Sequence, residues 1–118
     1  MAGDARVLKT ARSTIRSLME DEMPEARDIA VLLTDELVTN AVLHGGGNFT
    51  LSADMGCDIL RVAIADTSPI TPSVLVQSAE REHGRGMAIV EALATDWGTE
   101  RGDTGKTVWF ELDLRPWR

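Results

Sequence analysis

Asp35-Glu36-Leu37-Val38-Thr39-Asn40-Ala41-Val42-Leu43-His44 closes a run that begins at Pro24, and its periodicity sets the architecture. At 100° per residue, Ile29, Leu32, Leu33, Glu36, Asn40 and Leu43 share one side of a helix, while Val31, Val38 and Val42 lie opposite. Both sides are apolar, so this helix should lie sandwiched. Pro24 suits a first helical position and Gly45-Gly46-Gly47 ends the pattern, which predicts a helix from Pro24 to His44. Glu36 and Asn40 interrupt the first stripe, where a carboxylate is costly unless something satisfies it. Spaced i and i+4, the two side chains can reach one ligand together. The carboxylate can act as general base and the amide oxygen can ligate a hard cation such as Mg²⁺. The same pattern also fits a buried Glu–Asn hydrogen bond or a partly exposed helix end. On spacing alone these readings stay open.

Working outward, Val7, Leu8, Ala11, Ile15, Leu18 and Met19 recur at helical spacing, predicting a first helix over Ala5 to Glu22. After the glycines, Phe49, Leu51 and Ala53 alternate with polar neighbours, and Leu60, Val62 and Ile64 repeat the rhythm beyond the turn Asp54-Met55-Gly56. That is a hairpin. Thr67 to His83 reads as a loop long enough to be a lid or binding loop. A short helix over Gly86 to Thr95, a strand over Trp97 to Arg101, a turn over Gly102 to Gly105 and a strand over Thr107 to Leu114 follow. Helices do not alternate with strands, which argues against a doubly wound parallel sheet. The order predicts an α+β fold, a two-layer sandwich with a mostly antiparallel sheet carrying its helices on one face.

Composition sets bounds on this reading. The 118 residues suit one domain spanning 1–118, and 43% hydrophobic residues supply a core. Twelve Lys and Arg stand against 19 Asp and Glu, a net charge of −7 that disfavours a surface holding nucleic acid by charge. Three Trp, two Phe and no Tyr leave few rings for base stacking. Cys57 is the single cysteine, so no internal disulfide forms, and with two histidines it cannot complete a four-ligand zinc site. No apolar run approaches the roughly 20 residues that cross a bilayer. A cytoplasmic protein without membrane or direct nucleic-acid contact is the expectation.

Two further stretches bear on chemistry. Asp66 has the parity of Leu60, Val62 and Ile64, so its carboxylate should point into the layer between sheet and helices, where it could accept a hydrogen bond from a ligand amino group. Asp66-Thr67-Ser68-Pro69 also suits a capped turn. In His83-Gly84-Arg85-Gly86-Met87-Ala88-Ile89-Val90 two glycines enter a helix, where free N–H groups can bind phosphate and Arg85 adds a forked donor. Gly-x-Gly alone is equally an ordinary turn. It is no dinucleotide fingerprint, because Ile89 occupies the third small position and a loop precedes it. Gly105-Lys106-Thr107 mimics the end of a P-loop, yet Glu100 stands where its earlier glycine belongs and a strand follows. It reads as a hairpin turn. His44 suits a helix-end contact, His83 stays open, and Cys57 has no basic neighbour to activate it.

In order, Glu36 to Gly45, His83 to Val90, and Trp97-Gly98 with Gly105-Lys106-Thr107-Val108-Trp109-Phe110 resemble the N box, second glycine box and last hairpin of the GHKL superfamily. This is the Bergerat-fold ATP-binding domain of gyrase, chaperones, histidine kinases and MutL, and the resemblance spans about Ala5 to Trp117. Among its branches the chain looks most like the small stand-alone bacterial anti-sigma-factor serine kinases. The resemblance implies ATP and Mg²⁺ as cofactors. It makes Glu36 the general base or water-positioning carboxylate, Asn40 the Mg²⁺ ligand, and Asp66 the acceptor of the adenine amino group, with Thr107 supporting it. Gly84, Arg85 and Gly86 would line the triphosphate under a lid running from Asp66 to Gly84. It further implies transfer of the γ-phosphoryl to a serine of an anti-anti-sigma protein, with sigma-factor binding as the alternative state and dimerisation common in the family. A basic sigma-factor segment would suit the acidic surface.

The alternative is a nucleotide-responsive partner-switching module with little or no kinase activity. A sensor-kinase catalytic domain would need a phosphoacceptor histidine helix, and Ala5 to Glu22 has no histidine. Two features depart from the family pattern. Thr67, Ser68, Pro69 and Ile70 follow Asp66 where relatives read Asp-x-Gly-x-Gly, and strand parity sets Thr107 opposite Val108, Phe110 and Leu112 unless the strand opens with a bulge.

Overall fold

A computed structural model describes residues 2–44 (side chains 6–43), 48–66, 88–103 and 105–118. Helix α1 spans Ala2–Leu18 and α2 spans Pro24–His44; strands are β1 Phe49–Met55, β2 Ile59–Asp66, β3 Asp96–Gly102 and β4 Gly105–Asp113. Residues 88–93 are helical (α3), and Arg115–Trp117 form a 3₁₀ turn. The α+β architecture read from the sequence is the one observed. The loop from Thr67 to His83 and the first residues of the short helix fall outside the described residues.

The four strands form an antiparallel sheet in the order β1-β2-β4-β3. Leu60, Val62 and Ile64 of β2 and Val108, Phe110 and Leu112 of β4 are buried on the helix-facing side, as the period-2 pattern requires. Thr50, Ser52 and Asp54 of β1 are exposed on the other side. The first hairpin turns two residues later than expected. Asp54 and Met55 still pair with Arg61 and Leu60, and Gly56 N donates to Ile59 O at 2.9 Å to close the turn. Met55 stays in the strand because its side chain packs against the core.

Helix α1 buries Ala11 and Ile15 and ends at Leu18, four residues short of the expected Glu22. Glu20 N and Glu22 N turn to the carbonyls of Ser17 and Met19, three residues back, which tightens the chain into the bend before Pro24. Helix α2 has the predicted bounds and is enclosed on two sides. Ala30, Leu33, Leu37, Val38 and Ala41 are all buried, and the hydroxyl of the buried Thr34 donates to Ala30 O at 2.8 Å. The two helices are tied across their seam by Arg12, whose Nε donates to both Asp35 oxygens at 2.9 and 3.0 Å. At the other end of the chain Arg118 reaches Glu22, Asp58 and the Cys57 carbonyl, closing the C-terminus over the α1–α2 bend and the first hairpin.

Candidate functional site

Buried residues on α2 centre on Ala30, Leu37 and Ala41, which at 100° per residue lie roughly 100° around the helix from the Glu36–Asn40 stripe. Within that stripe Leu33 is buried, but Leu32 is 38% and Leu43 is 52% exposed. The stripe is therefore the rim of the buried face and not its middle, which corrects the expectation of an apolar stripe interrupted by two polar groups. Glu36 and Asn40 are half-buried there. A carboxylate at such a rim keeps part of its hydration, so it escapes most of the desolvation cost of a core position. Glu36 and Asp66 both take part in polar contacts within the fold.

Asp66 closes β2 and is 5% exposed, on the same side as Val62 and Ile64. Its cross-strand neighbours are Phe49 on β1 and Lys106 on β4. The α2 helix ends at His44 and β1 begins at Phe49, five residues on, a gap of at most roughly 17 Å even if extended. Asn40 is one turn before that helix end. Asp66 and Lys106 are thus neighbours on the helix-facing side, beside the start of the strand that follows α2.

Thr107 is not part of this pair. The β2–β4 register runs unbroken from Ile59 opposite Asp113 to Asp66 opposite Lys106, so no bulge opens the strand. Thr107 pairs with Ala65 and Glu100 and lies on the sheet face turned away from α1 and α2. Its side chain is thus on the opposite face of the sheet from that of Asp66. Lys106, read from the sequence only as part of a hairpin turn, holds the helix-facing position beside Asp66 instead. Its parity with Val108, Phe110 and Leu112 was the signal for it. Gly84, Arg85 and Gly86, with His83, lie outside the described residues, as do Gly45 and the segment after Asp66. Among the described residues no cluster of three His, Cys, Asp or Glu could hold a metal alone. The half-buried Asn40 carries an amide oxygen, a hard donor of the kind Mg²⁺ accepts.

The far face of the sheet carries a separate arrangement. Arg61 lies over the Trp109 ring, 4.4 Å from its centroid, and its Nη1 donates to Glu111 at 3.1 Å. Gly98 sits against that ring.

No curated protein sequence matches the chain. Among solved structures the fold is similar to the nucleotide-free catalytic domain of histidine kinase ThkA, at 18% identity and a TM-score of 0.59 over 91% of this chain and 92% of that one. It is similar also to the histidine kinase domain of the Erythrobacter litoralis EL346 blue-light activated histidine kinase, at 22% identity and a TM-score of 0.62 over 91% of this chain and 59% of that one. A third likeness is to the Acinetobacter baumannii histidine kinase AdeS, at 12% identity and a TM-score of 0.58 over 98% and 77%. The family model for the histidine kinase-like ATPase domain matches residues 1–112, and the chain belongs to that family, an ATP-binding GHKL domain.

Proposed function

We propose that the chain binds Mg·ATP between α2 and the sheet and transfers the γ-phosphoryl to a serine of an anti-anti-sigma protein, alternating that partner with a sigma factor. The observation that supports the nucleotide part is Asp66, a carboxylate buried on the helix-facing side of β2. Asp66 would accept the adenine amino group. Asn40 would hold Mg²⁺, which would neutralise phosphate charge. Glu36, half-solvated at the rim, would take the proton of the attacking hydroxyl, and the chain's contribution to the reaction would be positioning and charge stabilisation. Lys106 would add positive charge near the base edge. Gly84, Arg85 and Gly86 would line the phosphates. The serine acceptor and the sigma factor rest on the sequence resemblance to anti-sigma-factor kinases.

A second reading is a nucleotide-responsive binding module with little turnover. It is favoured by Thr67-Ser68-Pro69-Ile70, which puts no glycine where the first glycine box would let backbone approach the nucleotide. Calorimetric titration with ATP, with and without Mg²⁺, tests the shared premise, and an absence of binding to ATP, ADP or an analogue removes both readings. Asn40→Ala should weaken Mg·ATP binding by about tenfold or more, about 1.4 kcal/mol. Glu36→Ala should leave binding in place and lower phosphotransfer by about 10²- to 10⁴-fold. If ATP still switches partner affinity while phosphotransfer is undetectable even in the unmodified chain, the binding-module reading stands.

A further inference from the structure

The two edges of the sheet are finished differently. β3 carries Asp96, Glu100 and Arg101 together with two glycines, features that discourage pairing with another strand. β1, at the other edge, reads Phe49-Thr50-Leu51-Ser52-Ala53-Asp54-Met55, with one charge, no proline and no lysine, and it pairs with β2 in register over its whole length. Among the described residues no strand pairs with its outer side. Alternate residues of such an edge present N–H and C=O groups outward.

Beside this edge runs an open groove of about 780 Å³, lined by Leu51 and Ala53 of β1 and by a hydroxyl-bearing face of α1 that includes Lys9, Thr10, Ser13 and Ser17. Arg6, Lys9 and Arg16 are exposed on α1, whereas Arg12 is held by Asp35. Among the described residues, a cationic helix thus lies over the less guarded sheet edge of a chain whose net charge is −7.

We propose that the β1 edge and the α1 groove dock an extended, acidic segment of a partner protein, added to the sheet as a further antiparallel or parallel strand. Main-chain hydrogen bonds to β1 would supply affinity, and side-chain alternation would supply selectivity. Every second side chain of the segment turns to the α1 side and enters the groove between α1 and β1, and the acidic residues are the ones set there. Acidic side chains meet the cations of α1. A second copy of this chain fits less well, because twofold pairing of β1 with β1 would bring two cationic α1 helices together. The proposal is independent of nucleotide binding.

The probe is a blocked, labelled seven-residue peptide of alternating Glu and Val, matched to the length of β1, with an alternating Lys and Val peptide as its charge control. Fluorescence anisotropy reads affinity, and amide exchange reads protection at Phe49–Met55. The acidic peptide should bind and slow exchange in β1, and Lys9→Glu and Arg16→Glu, both at exposed positions, should each weaken it by about tenfold through like-charge repulsion. Any of four results overturns the proposal: no protection of β1 at millimolar peptide, equal binding of both peptides, affinity unchanged in both variants, or β1 protection that grows with protein concentration alone alongside a sedimenting dimer. The last result would assign the edge to a second copy.

Discussion

Single side chains decide two features that residue type alone leaves open. Asp66 and Lys106 are opposite each other because the β2–β4 register is continuous, and one residue of slip would have exchanged Lys106 for Thr107 on the helix-facing side. The parity of Asp66 was legible in Leu60, Val62 and Ile64. The alternation of β4 likewise sets Thr107 on the face opposite Val108, Phe110 and Leu112, and the continuous register keeps it there. Gly98 is explained only by what faces it. A Cβ there would stand 2.9 Å from Trp109 Cζ2 and 3.1 Å from Cε2, so the ring would have to leave its place under Arg61. Gly98→Ala should cost about 1–3 kcal/mol as overpacking. Urea unfolding checks this, and Trp109→Leu in the same background should recover part of the loss, giving a non-additive double-mutant cycle.

Element boundaries follow local chemistry where one signal dominates and tertiary contacts where signals compete. Pro24 and the glycine run delimit α2 as expected, whereas α1 stops early because its last residues turn toward the α2 start and Arg118 engages Glu22. The end of β4 is held by side chains on both sides. Thr95 N donates to Glu111 O and its hydroxyl accepts from Asp113 N, both at 2.8 Å. The Asp113 carboxylate accepts from Arg115 through its backbone N–H at 3.0 Å and through its guanidinium, with the shortest contact 2.6 Å. The Arg115 side chain, then its backbone N–H, lower the Asp113 pKa to about 2. Because the folded value lies below the unfolded one, this contribution to stability is complete above the unfolded pKa and disappears as pH falls from about 4 toward 2. Arg118 depresses Glu22 in the same direction. Asp113→Asn should therefore be less stable than the unmodified chain at pH 6, with the two urea midpoints converging by pH 2. A constant gap across that range would refute the linkage.

At the scale of the whole molecule, one buried layer holds the fold and the candidate site together. Phe110, at the middle of β4, is fully buried in the same cluster as Leu37 of α2 and Ile64 of β2, so the packing that fixes the sheet also fixes where α2 presents Glu36 and Asn40. Phe110→Ala should cost about 3–5 kcal/mol, a large share of the 5–15 kcal/mol typical of a domain. Denaturant unfolding should show a lower midpoint, and any Mg·ATP binding should weaken with it as α2 loses its support. Sequence alone was enough for the element order, the faces of β1, β2 and β4 and the two-layer class, because hydrophobic periodicity and glycine or proline punctuation act within a few residues of chain. It was also enough to bring the GHKL motifs into order. Strand order, the placement of Glu36 and Asn40 at a rim, the pairing of Asp66 with Lys106 and the contrast between the two sheet edges came only from the tertiary structure. Each depends on which distant segments meet, and a periodic pattern states that a face is buried without stating against what.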